Sequence, residues 1–242
     1  MIVNQNYIET NITTDNGKKL PYLWTHGATI EHMGDGLLIY SLIQHMRYKN
    51  CVCIGSGAGY IPRIMTQSRI DLHKQKIFEG DSAYSWGDIG STFVVDPCNG
   101  VGGDTTIDDE NGFYRTNFYP RFIKETSEVA YYNFFVKEDI KIDILFIDGD
   151  HSYEGVKKDF DLYSKILNPN GLIIIHDTDK TYSETLIVSE DAKKDFFPFD
   201  GPHRLVKELK TNKEWVVTDL FNHGVIKDKP SSTGITLVKR ND

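Results

Sequence analysis

Four short segments, Cys51–Ile54, Thr92–Val95, Ile142–Ile147 and Leu172–Ile175, are apolar along almost their whole length, and helical spacing fills the stretches between them. A strand that alternates apolar and polar residues can leave one face in water, whereas one that is apolar throughout must be covered on both. Such strands separated by amphipathic helices build a parallel sheet between two helical layers. The chain therefore reads as α/β, a doubly wound and mostly parallel sheet with an antiparallel strand near the C-terminus. Helices are expected over Gly36–Met46, from Tyr60 to about Arg69, over Arg121–Val129, along the stripe Val156, Phe160, Tyr163 and Leu167, and near Arg204–Leu209. Further strands are expected at Tyr132–Val136, Trp215–Leu220 and Ile235–Val238.

A length of 242 residues suits one such domain, read here as 1–242. Residues 1–30 form a polar lead-in with a turn signal at Asp15-Asn16-Gly17. The segments 71–90 and 98–119 read as insertions or long loops, the second too long for a plain connector. A net charge of −8 argues against a non-specific nucleic-acid binder, which needs a cationic surface. No apolar run is long enough to span a membrane, and Met1 to Thr14 shows no signal peptide. Three cysteines, Cys51, Cys53 and Cys98, are too few for a disulfide framework and suggest a reducing, cytoplasmic setting.

In a sheet of this kind ligands bind beyond the carboxyl ends of the strands. There the sequence places Gly55-Ser56-Gly57-Ala58-Gly59, Asp96, Asp148 through His151, and His176 through Asp179. Gly55, Gly57 and Gly59 allow a tight turn and close approach of a ligand to the backbone, and Ser56 lies among them. A dinucleotide fingerprint would need glycine where Tyr60 stands, and no Lys-Ser/Thr pair follows to make a phosphate loop. Asp96 is placed to bind paired ribose hydroxyls, with Glu79 as the alternative. Taken singly, each of these residues is also an ordinary turn former or helix cap.

The loop from Cys53 to Gly59 resembles the S-adenosylmethionine (SAM) loop of class I, Rossmann-like methyltransferases. The segment Phe146-Ile147-Asp148-Gly149-Asp150-His151-Ser152-Tyr153-Glu154-Gly155-Val156, with Asp159, Leu167-Asn168-Pro169-Asn170-Gly171-Leu172 and His176-Asp177, resembles the sugar and macrolide O-methyltransferase branch. Catechol-type and caffeoyl-CoA-type enzymes are more distant relatives. The resemblance covers about residues 30–180 and implies a seven-stranded sheet. It implies SAM as cofactor, held by Gly55, Ser56, Gly57, Gly59 and Asp96, and Mg²⁺ or Mn²⁺ at Asp148 and Asp177, with Thr178 at the third ligand position. Asp148 would touch the cofactor, the metal and the reacting groups. His151 falls where the family carries its candidate base, able to take the proton from an attacking hydroxyl. His176 is expected to support the site, and Asp150 to cap the following helix.

Cys53 departs from the family, which commonly has an acidic residue there contacting the methionine end of the cofactor. Asp35 or Glu31 would be the replacement. The implied activity is methyl transfer to a hydroxyl of a sugar or other small polar acceptor. An N-methyltransferase, an NAD(P)-dependent sugar-modifying enzyme and a non-catalytic methyltransferase-like binding domain are the alternatives. Phe113, Tyr114, Phe118 and Tyr119 would line an acceptor pocket or pin their loop, and Phe196-Phe197-Pro198-Phe199 would form a lid or a subunit contact in a homo-oligomer.

Overall fold

The computed structural model describes residues 26, 34–57, 59–78, 90–98, 120–179, 200–220, 225–226, 229–230 and 234–241. The turn at 15–17, Glu31, Glu79, the aromatics of 113–119 and the 196–199 cluster lie outside them. The chain divides into two compact units, Met1–Glu125 and Thr126–Asp242.

In the first unit, helix α1 (Asp35–Met46) precedes strand β1 (Cys51–Ile54), helix α2 (Tyr60–Phe78), strand β2 (Thr92–Val95) and the short strand β3 (Arg121–Ile123). β1 pairs in parallel with β2, and β2 with β3. All eight residues of β1 and β2 are buried, as their apolar composition requires. α2 runs well past Arg69, because Leu72 and His73 are buried and Gln67 Nε2 donates to Asp71 Oδ1 one turn on, at 2.9 Å. Part of the segment read as an insertion is therefore helix. Arg69 ties α2 to the sheet by donating to Thr92 Oγ1 at 2.6 Å and to the Gly90 carbonyl at 2.5 Å.

The second unit begins with helix α3 (Ser127–Ala130), which continues as a π-helical turn over Tyr131–Val136. This corrects two expectations: Arg121–Ile123 is a strand rather than the start of a helix, and 132–136 is helical rather than extended. Strand β4 (Ile142–Ile147), helix α4 (Tyr153–Tyr163), strand β5 (Leu167–His176), helix α5 (Gly201–Leu209) and strand β6 (Trp215–Leu220) follow. Two-residue strands β7 (Val225–Ile226) and β8 (Lys229–Pro230) form a separate ribbon, and β9 (Ile235–Arg240) closes the chain.

β5 lies parallel to β4 and antiparallel to β9, which in turn is antiparallel to β6. Ile142 pairs with Leu167 but Ile144 with Leu172, so Asn168-Pro169-Asn170-Gly171 is a bulge within β5. Asn168 Nδ2 donates to Asp143 Oδ1 across it at 2.6 Å. Val156, Phe160 and Tyr163 are buried on α4 as their spacing predicts, whereas Leu167 opens β5. The Tyr163 ring meets Phe135 edge-on and lies tilted against Tyr131, and Phe160 meets Trp215. The main sheet has seven strands, which stand in the order β3-β2-β1 within the first unit and β4-β5-β9-β6 within the second.

Candidate functional site

In the first unit, β1 breaks at Ile54 into the glycine loop. Gly55, Gly57 and Gly59 have φ of 80°, 48° and 83°, the left-handed region that side chains with a Cβ rarely enter. Nothing lies within 4 Å of the position a Cβ would take on Gly57, so backbone conformation rather than crowding selects glycine there. Asp96, at the end of β2, holds the loop. Its Oδ2 accepts from Ser56 N at 2.8 Å and Ser56 Oγ at 2.5 Å, while Oδ1 accepts from Cys98 N at 2.8 Å. Cys53 is buried, and its thiol donates to the Gly55 carbonyl at 3.1 Å.

Asp35 opens α1, and Tyr60 opens α2 just after the glycines. Burial, together with the nearby Asp35 carboxylate, pushes the Tyr60 phenol well above its ordinary value. A Cβ on Gly36 would come within 2.5 Å of the Tyr60 hydroxyl. The Asp35 charge therefore stands beside the helix that the glycine loop feeds.

In the second unit, Asp148 follows β4, His151 lies three residues later, and His176-Asp177 ends β5. His151 Nε2 is 2.7 Å from Asp177 Oδ2 and 3.3 Å from Asp148 Oδ1. His176 Nδ1 is 3.2 Å from Asp148 Oδ1 and 3.1 Å from Asp177 Oδ1. Asp177 makes this possible with a left-handed backbone, φ 55°, unusual for a residue with a side chain.

Burial pulls His151 down, but hydrogen bonds and charge from Asp148 and Asp177 outweigh it and raise the imidazole to about 10. Burial likewise opposes charging of His176, and the same two carboxylates again prevail, holding its pKa well above the ordinary value. Burial pushes Asp177 up, but His176 and His151 overcome it and hold the carboxyl well below the usual range. One candidate ligand atom each from Asp148, His151 and Asp177 lie within 4.8 Å of one another, a spacing that fits a single cation.

Thr178 is fully buried, and its Oγ1 accepts from Thr236 Oγ1 at 2.9 Å. Its carbonyl meets His203 Nδ1 at 3.2 Å. Its described contacts thus point to the support of α5 and β9 rather than to the carboxylates. Ser152 is the N-cap of α4, accepting from Gly155 N at 3.0 Å, while Asp150 Oδ1 accepts from Ser152 N at 2.8 Å. Asp150 therefore props the cap instead of forming it. The residue that sequence reasoning underrated is His176. Its position after an all-apolar strand and before an aspartate was the available signal.

A mostly parallel sheet whose first strand breaks into a glycine loop, with carboxylates after the strands that follow, is the architecture of Rossmann-like methyltransferases. The family model described as a methyltransferase domain (methyltransferase family 24) matches residues 52–178, and the chain belongs to that family. The fold is shared with a putative O-methyltransferase from Klebsiella pneumoniae (14% identity, 86% of this chain and 80% of that one, TM-score 0.59). An O-methyltransferase of Bacillus cereus in complex with SAH is also similar (15%, 86% and 80%, TM-score 0.57). So is one from Streptomyces achromogenes involved in tomaymycin synthesis and in complex with SAM (11%, 98% and 96%, TM-score 0.60). Among curated sequences, an uncharacterized protein of Sinorhizobium fredii is 28% identical over 108 residues, 40% of this chain. One of Acanthamoeba polyphaga mimivirus is 58% identical over 36 residues, 15% of this chain. The matched stretches span only 11% and 16% of those relatives' lengths.

Proposed function

We propose that the chain is a SAM-dependent O-methyltransferase acting on a hydroxyl of a sugar or another small polar acceptor, assisted by a divalent cation. The observation that carries this reading is the meeting of His151 with Asp148 and Asp177 at the ends of β4 and β5. In this reading the glycine loop, Ser56 and Asp96 bind SAM, with Asp96 turned to the ribose and Asp35 standing in for the acidic residue that Cys53 replaces. Family membership supports the reaction class, and the SAM and SAH named for the Streptomyces and Bacillus proteins support the cofactor. The free cysteines suit a reducing cytoplasm, and among the described residues no helix is long and apolar enough to cross a membrane.

Methyl transfer from a sulfonium is an in-line displacement, so the acceptor oxygen must shed its proton as it attacks. In this reading His151 receives that proton. As it stands, the imidazole is held charged by two carboxylates. A divalent cation bound by Asp148 and Asp177 would acidify the acceptor hydroxyl and weaken the carboxylates' hold on the His151 proton. Asp148 and Asp177 orient the imidazole through its Nε2. The stretches of β4 and β5 that lead to the two aspartates, 144–147 and 172–175, are apolar and buried and exclude water behind them.

The test is calorimetry with SAH on the wild-type chain and His151→Ala, paired with labelled-methyl transfer. The expected result is comparable SAH binding by both, with transfer slowed about 10²–10⁴-fold in the variant. Absence of SAH binding at high micromolar concentration would refute the cofactor assignment, and a normal rate in the variant would remove His151 as proton acceptor.

A further inference from the structure

Asp177 meets both imidazoles from a left-handed backbone, φ 55°, a conformation that a residue with a side chain keeps only where its surroundings impose it. The residue that follows is tied at every polar group. Thr178 N donates to the Gly234 carbonyl at 3.4 Å, its carbonyl meets His203 Nδ1 at 3.2 Å, and its Oγ1 stands 2.9 Å from Thr236 Oγ1. Thr236 is fully buried in β9, paired across the sheet with Ile175 of β5 on one side and Asp219 of β6 on the other. Its hydroxyl also stands 2.9 Å from Asp219 Oδ1, and the other Asp219 oxygen pairs with Lys210. An apolar β-branched residue would serve packing in a buried strand as well, so what threonine adds is a hydroxyl that donates and accepts and can bridge Thr178 to Asp219.

We propose that Thr236 is a positioning residue for the proposed methyl transfer: through Thr178 it holds Asp177 in the left-handed conformation that presents one carboxylate oxygen to His151 and the other to His176. This rests on the reading of Asp177 as a site residue. With the bridge broken, Thr178 keeps only its backbone contacts, and Asp177 is free to relax toward the extended or right-handed conformations that residues with a Cβ favour. Its carboxylate then turns away from both rings. The strain at Asp177 is thus opposed by a chain of contacts that runs from the end of β5 through β9 to the Asp219–Lys210 ion pair.

Ring ¹⁵N resonances of the full chain, labelled at histidine and read at one fixed pH, test the proposal, with Asp177→Asn as the reference for rings that have lost the carboxylate. In Thr236→Val the His151 and His176 signals are expected to shift toward their Asp177→Asn positions. In Thr236→Ser, which keeps the hydroxyl, they are expected to stay at the wild-type ones, whereas a mere loss of packing would not be repaired by the smaller side chain. Wild-type signals in Thr236→Val, or signals displaced as far in Thr236→Ser as in Thr236→Val, would overturn the proposal and leave the site reading intact. Rings unmoved by Asp177→Asn would overturn the site reading itself. Asp219→Ala, at a half-buried position, removes the other end of the bridge and is expected to shift the same signals in the same direction. Unmoved signals there would overturn the proposal even if Thr236→Val failed to fold.

Discussion

Asp96 is committed to the backbone before any ligand arrives: three donors, two of them on Ser56, converge on its carboxylate. A ribose would add to this arrangement rather than create it, since a carboxylate can accept about four hydrogen bonds. Removing the Ser56 hydroxyl deletes one charge-assisted bond and loosens the loop. Ser56→Ala should weaken SAH binding about 5- to 10-fold, on the order of 1 kcal/mol, in a calorimetric titration. Unchanged affinity would mean that the backbone N–H alone fixes the loop. Asp159 presents the opposite case, a carboxyl that the fold prefers protonated. Burial raises it from 3.8 to about 6, with Asp150 adding to the rise and Ser127 and Lys158 opposing it. Its folded value lies above the unfolded one, so its stabilising contribution is complete below about pH 4 and is lost as the pH climbs through about 6. Asp159→Asn, which mimics the protonated form, should therefore gain about 2–3 kcal/mol at pH 8 and little at pH 4 in denaturant unfolding. An equal gain at both values would exclude ionisation as the cause.

Local spacing misleads most where aromatics cluster. Tyr131-Tyr132-Asn133-Phe134-Phe135-Val136 has the composition of a strand, yet Tyr131 and Phe135 are buried four residues apart while Val129, Tyr132 and Val136 face solvent. That is helical spacing, and Thr126 as N-cap marks where the helix begins. The strands around the site were easier to read, because burial on both faces leaves apolar runs that end abruptly in polar residues. Asp148, His151 and Asp177 could thus be picked out singly from the sequence. Their mutual contacts could not, since they depend on the β4–β5 register and the bulge after Leu167. α5 adds an element-scale constraint of the same kind. A Cβ on Gly201 would lie 2.3 Å from the His151 carbonyl oxygen and 2.5 Å from the Ser152 carbonyl carbon. Backbone cannot move aside cheaply, so Gly201→Ala should shift the loop carrying His151. The expected loss is about 1–3 kcal/mol of stability, with methyl transfer falling at least ten-fold. A variant of normal activity would show that α5 can slide without disturbing the loop.

For the molecule as a whole, the −8 charge acquires local meaning within each unit, since the proposed assignments use Asp35 and Asp96 in the first and Asp148 and Asp177 in the second. Binding of a positively charged sulfonium or a divalent ion to the folded chain alone would register as global stability. The glycine pattern decides which cofactor should do so. Tyr60 is almost wholly buried at the start of α2, where a dinucleotide fold needs glycine to let the pyrophosphate approach the helix. A ligand at 100 times its dissociation constant adds about 2.7 kcal/mol of stability, which for a chain of this size corresponds to roughly 5–10 °C in Tm. SAH should produce a rise of that order in a thermal melt, and NADH at the same concentration should produce none. A rise with NADH alone would reverse the cofactor assignment, because it would show that a pyrophosphate can approach the start of α2 past the Tyr60 ring.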